Sequence, residues 1–204
     1  MADQLASQEM DRQRRQLLLD GAGIGLALLL AGPARAEEPN PPMFGTARSQ
    51  FIIVRPRKPL APLRLQDLNG RAMVLAPKPG HVTLVNLWAT WCAACKTDLP
   101  MLARLDHMQL PRLDVWSVCT DQRDFRTVRR YAQEVAMPRL SFADPDASAT
   151  DPANRGASTF LLTAMPITYL IGTGGLIEGY ITGAPEWLSA PGQALLRYYL
   201  DQPA

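Results

Sequence analysis

Two cysteines, Cys92 and Cys95, stand two residues apart where an apolar run gives way to a helix-like segment. Upstream, Val82-Thr83-Leu84-Val85-Asn86-Leu87-Trp88 is mostly apolar and partly β-branched, the pattern of a strand buried on both faces. Downstream, Leu99, Leu102 and Leu105 place a buried stripe on a helix expected over Cys92 to Met108. A Cys-x-x-Cys between strand and helix can close a small disulfide ring at a helix N-terminus. That placement carries thiol–disulfide chemistry and restricts the fold to one that joins a buried strand directly to a helix.

The remaining chain supplies the other layers. Phe51 to Val54 reads as a short strand, and Leu63 to Leu65 and Ala72 to Leu75 flank Asn69-Gly70, a hairpin turn signal. Leu113 to Val118 is the next strand. Asp124 to Ala136 is an amphipathic helix with Phe125, Val128, Tyr131 and Val135 on one face, and Arg139 to Phe142 is a short strand. Asp144 to Ser158 is polar and turn-rich, with room for one helical stretch. Ile167 to Ile171 and Leu176 to Ile181 surround Gly172-Thr173-Gly174-Gly175 and should pair antiparallel. Pro185 to Leu200 is a final helix that Pro191 either interrupts or starts. A β-α-β beginning and a β-β-α end give an α/β fold: a central mixed sheet with helices on both faces and an N-terminal β-hairpin extension. With the Cys-x-x-Cys after the first main strand, this is the thioredoxin arrangement.

The N-terminus reads differently. Arg12, Arg14 and Arg15 precede an apolar stretch from Leu17 to Ala31, broken only by Asp20, and Ala34-Arg35-Ala36 offers small residues for an export peptidase. Residues 1–36 are therefore expected to be a secretory signal peptide cleaved after Ala36. Arg14-Arg15 loosely resembles a twin-arginine signal, and a retained membrane anchor is the other option. Residues 37–50, with Pro39, Pro41 and Pro42, are expected to be a flexible lead-in, and residues 51–204 the folded domain. The expected location is periplasmic or otherwise exported, as a soluble or N-terminally anchored protein. There, thiols survive only if a partner keeps them reduced. The net charge of +2 and the lack of basic runs interleaved with aromatics argue against a nucleic-acid partner. A zinc site is disfavoured because beyond the pair only Cys119, His81 and His107 remain, none in ligand spacing.

The stretch Val85-Asn86-Leu87-Trp88-Ala89-Thr90-Trp91-Cys92-Ala93-Ala94-Cys95-Lys96-Thr97-Asp98-Leu99-Pro100 resembles the active-site block of the TlpA/ResA/CcmG group of exported, thioredoxin-like thiol–disulfide oxidoreductases. Met165-Pro166-Ile167-Thr168-Tyr169-Leu170-Ile171 resembles that fold's cis-proline segment, and the likeness spans roughly Leu63 to Leu200. The resemblance implies that Cys92 is the nucleophile, its thiolate favoured at a helix start, and that Cys95 resolves the mixed disulfide. Asp98, on the first helical turn, is either the proton acceptor for Cys95 or an acid complementing the helix N-terminus. Asn86 occupies the strand position where ordinary thioredoxins carry a buried acid.

Pro166 is expected in a cis peptide opposite the disulfide, with Met165 pairing its backbone to a substrate or filling core. Trp91 is expected to shield Cys92 and offer an apolar docking surface, and Trp88 to be core. Cys119 reads as a small buried hydrophobe. No cofactor or metal is expected beyond the redox-active Cys92–Cys95 pair.

The implied activity is that of a protein-disulfide reductase. Its substrates would be exported proteins with cysteine pairs, those of cytochrome c maturation or of oxidase copper-site assembly, and a membrane electron donor would be required. Ala93-Ala94 stands where the group more often has a proline. A disulfide-introducing oxidant therefore remains open, as does a Cu(I) chaperone using the same two thiols.

Overall fold

In the computed structural model of the protein, residues 40–121, 125–150 and 159–203 are described. The expected signal peptide, residues 1–36, lies outside them. Apolar and amphipathic segments alternate as strands β1 (Ile52–Ile53), β2 (Leu63–Asp67), β3 (Ala72–Leu75) and β4 (Val82–Trp88), helix α1 (Cys95–His107), and strand β5 (Leu113–Cys119). Helix α2 (Phe125–Glu134), strands β6 (Leu140–Ala143), β7 (Ile167–Ile171) and β8 (Ile177–Thr182), and helix α3 (Ala190–Leu200) complete the order. The expected helical stretch after Asp144 is a series of turns as far as Thr150, and residues 151–158 are outside the described set.

One mixed sheet runs in the order β1-β8-β7-β4-β5-β6-β2-β3. Strands β4, β5 and β6 are parallel neighbours, and β4 pairs antiparallel with β7 on its other side. Strand β4 is central and buried along its whole length, as its unbroken apolar pattern requires. The hairpin β2–β3 is not a free extension: Gln66 and Asp67 pair with Ala143 and Phe142, so it lengthens the sheet past β6.

Both crossovers, β4-α1-β5 and β5-α2-β6, step the same way across the sheet. Right-handed connections therefore put α1 and α2 on one face. Side-chain alternation agrees. Leu84 and Val115 pack with Leu102 and Leu105 of α1 and with Leu195, Leu196 and Tyr199 of α3. Trp88 and Cys119, of the same parity, meet Val128 and Tyr131 of α2. The opposite face, Val85, Leu87, Trp116 and Val118, is covered by non-helical residues such as Leu60, Ala149 and Phe160. Helices on both faces were expected; among the described residues all three lie on one, because the two parallel crossovers advance in one direction.

The expected flexible lead-in is docked from Phe44 onward. Phe44 is buried with its ring 4.8 Å from that of Trp187, and its carbonyl accepts from the Phe51 N–H at 2.8 Å. Strand β1 then lies on β8 where Gly179 has no side chain; a Cβ there would meet the Ile52 carbonyl oxygen at 2.4 Å. Helix α3 starts at Ala190, not at Pro185 as expected: Pro191 occupies its first turn rather than interrupting it, and the Ser189 hydroxyl caps it by accepting from the Gly192 N–H. Among the described residues no helix is long and apolar enough to cross a membrane.

Candidate redox site

The turn between β4 and α1 is tighter than a helix. N–H to carbonyl bonds three residues apart join Cys92 to Ala89, Cys95 to Cys92, Lys96 to Ala93 and Thr97 to Ala94. Helix α1 therefore starts at Cys95, three residues later than its sequence pattern suggests, and Cys92 sits in the turn ahead of it. Asp121, just past β5, fixes the turn's entry. Its Oδ2 accepts from the Thr90 N–H at 3.1 Å and from the Thr90 hydroxyl.

Cys92 and Cys95 form a disulfide with an S–S distance of 2.15 Å. Their surroundings differ. Cys95 is wholly buried, whereas Cys92 keeps 6 % exposure beside the exposed Ala93 and Ala94. The Cys95 N–H, the first of α1, points at Cys92 Sγ from 3.2 Å. No side chain caps this helix start, and the positive end of the α1 dipole favours negative charge on that sulfur.

Trp91 is 62 % exposed and stands at the surface beside the pair. Met165 is half-buried and packs against the cluster that contains Cys92, Cys95, Trp88 and Leu99. Pro166 is buried, and the Met165–Pro166 peptide is cis. Trp88 is fully buried and stacks on Tyr131 at 5.1 Å.

Asp98 lies one helical turn beyond Cys95, on the same buried face of α1, and is fully buried. Burial raises its carboxyl to about 7, against the Asn86 hydrogen bond that lowers it. Asn86 Nδ2 donates to Asp98 Oδ2 at 2.7 Å and to Thr168 Oγ1 of β7 at 3.0 Å.

Cys119, paired in register with Trp88, is buried in the same cluster, and desolvation pushes its thiol up to about 12. It is a packed, un-ionised side chain. Sequence reasoning placed Asn86 without its partners and did not single out Thr168 or the Asp121–Thr90 contact. The available signal was a polar side chain inside an apolar strand run, Asn86 in β4 and Thr168 in β7.

No family model matches the chain. It is 23% identical over 120 residues to the thiol-disulfide oxidoreductase ResA of Bacillus subtilis, covering 58% of this chain and 63% of that protein. It is 37% identical over 102 residues to a thiol:disulfide interchange protein DsbE homolog of Paracoccus denitrificans, covering 49% of each. The chain thus spans about half to two thirds of the length of the curated relatives it matches. Among solved structures, a putative thiol:disulfide interchange protein DsbE from Chlorobium tepidum superposes with a TM-score of 0.58 at 19% identity. That match covers 71% of this chain and 96% of the other, and it shows a shared thioredoxin-like fold.

Proposed function

We propose that this chain, a TlpA/ResA/CcmG-like protein of thioredoxin fold, is an exported thiol–disulfide oxidoreductase that reduces cysteine pairs in other exported proteins. The observation that carries this reading is the asymmetry of the pair. Cys92 alone of the two reaches the surface, and its sulfur receives the first N–H of α1. The thiolate form of Cys92 attacks one sulfur of a substrate disulfide. A Cys92–substrate bond forms, the substrate S–S bond breaks, and the departing thiolate takes up a proton. Cys95 then yields its proton, attacks Cys92 Sγ, closes the internal disulfide and releases the second substrate thiolate. Asp98, with its carboxyl raised to about 7, is matched to accept that proton near neutral pH. An external dithiol donor at the membrane returns two electrons to the pair.

The names of the relatives support thiol–disulfide exchange. The finer substrates we propose are the haem-binding cysteines of apocytochromes c or the cysteines of an oxidase copper site. The trapping experiment replaces Cys95 with alanine and isolates proteins covalently held on Cys92 from exported extract. Capture of cysteine-pair proteins supports the reading, and an empty trap overturns the substrate class. A reduction potential near about −270 mV fits a reductant, and one near about −120 mV would assign the pair to oxidation instead.

A further inference from the structure

Three polar side chains from three elements meet beneath α1 and are all fully buried: Asn86 of β4, Asp98 of α1 and Thr168 of β7. They are set there by the sheet, since Asn86 and Thr168 are register partners across β4 and β7. The two amide protons of Asn86 are both committed, one to Asp98 Oδ2 at 2.7 Å and the other to Thr168 Oγ1 at 3.0 Å. Asp98 Oδ1 and Asn86 Oδ1 have no hydrogen-bond partner among the described residues. Among the described residues an ionised Asp98 would thus keep its buried charge on a single donor, the Asn86 amide.

We infer that Asn86 is the positioning residue of the redox site: it holds Asp98 through one amide proton, while Thr168 fixes the amide through the other. Thr168 lies two residues beyond Pro166, so the segment expected to meet substrate and the proton acceptor are joined through one side chain. For its meaning this rests on the oxidoreductase reading above. The ionisable side chains in the adjoining cluster are Cys92, Cys95, Cys119 and Tyr131. The first two do not titrate while joined, and burial raises the Cys119 thiol and the Tyr131 phenol. Asp121 and Asp144 act on Cys119 from beside that cluster, and Asp98 itself is raised to about 7 by burial.

The test follows the Asp98 carboxyl carbon by NMR through a pH titration of the oxidised full chain, in wild type, Asn86→Leu, Thr168→Val and Thr168→Ser. Losing the Asn86 donor to the carboxylate should move the Asp98 midpoint upward by about one pH unit in Asn86→Leu. Thr168→Val should move it upward by less, because the amide is freed but not removed, and Thr168→Ser should keep the wild-type midpoint. An unchanged midpoint in a folded Asn86→Leu overturns the inference. If that variant does not fold, an unchanged midpoint in Thr168→Val overturns it. The titration needs no turnover, so its failure leaves the oxidoreductase reading standing. A wild-type chain that exchanged no disulfides would sink that reading without altering the titration.

Discussion

Asp98 joins a buried position to a carboxyl raised to about 7, and that combination has a consequence for stability. A carboxyl whose folded pKa lies above its unfolded value favours the native state when protonated. That stability is fully present below the unfolded value near 3.8 and is lost as pH rises through about 7. Urea unfolding of oxidised wild type and Asp98→Asn at pH 5 and pH 8 should therefore show the asparagine variant gaining relative to wild type at the higher pH. Between these two pH values the gain is bounded at about 3 kcal/mol. A difference that does not change with pH would rule out a neutral buried Asp98. Cysteine labelling gives a second prediction at this scale. In the reduced native protein near pH 7.5, mass spectrometry should find Cys92 alkylated first and Cys119 unlabelled until the chain unfolds, because burial keeps the Cys119 thiol protonated. The pair Cys92–Cys95 was legible in the sequence, as was the burial of Cys119. The protonation of Asp98 was not, because a charge's environment is set by residues far along the chain: Thr168 lies 82 positions from Asn86.

Two helix ends are held by identifiable contacts. The Ser189 hydroxyl accepts from the Gly192 N–H at the start of α3, so Ser189→Ala should cost about 1 kcal/mol in urea unfolding. At the last turn of α1, Asp106 receives the Arg139 guanidinium, with Nε at 2.9 Å from Oδ2 and a second nitrogen at 3.1 Å from Oδ1. The Arg139 backbone N–H adds a third bond at 2.9 Å. Burial opposes ionisation of Asp106, but the Arg139 contacts prevail and hold its carboxyl below the usual carboxylate range. This stability is present above the unfolded pKa and is lost as pH falls through the lower folded value, so it disappears in acid. Asp106→Ala should cost about 1–2 kcal/mol at pH 7, a figure reduced because the Arg139 side chain is half-exposed, and less at pH 3. Strand and helix identities were readable from periodicity. The start of α1 was not, because the tight turn through Cys92 interrupts the helix ahead of an otherwise intact apolar stripe.

Residues 41–204 form, among the described residues, an eight-stranded sheet with β1 at one edge and the chain before it docked from Phe44 onward. Phe44 fills a place beside Trp187 on the α1–α3 face, and β1 lies tight against Gly179. Phe44→Ala should therefore destabilise the fold by about 3 kcal/mol, read as a lower urea midpoint with an unchanged slope. A flexible lead-in would show almost no change. From the sequence alone came the α/β class, the order of elements, the hairpin, and a disulfide-forming pair between a buried strand and a helix. Those features are local: they follow from side-chain period and from neighbours a few residues apart. Tertiary structure alone decided that the described helices share one face, that the hairpin joins the sheet, that Phe44 belongs to the core, and that Asn86 links Asp98 to Thr168. Each of these depends on desolvation and hydrogen bonding between segments brought together only when the sheet closes, and no local pattern encodes which distant partner will arrive.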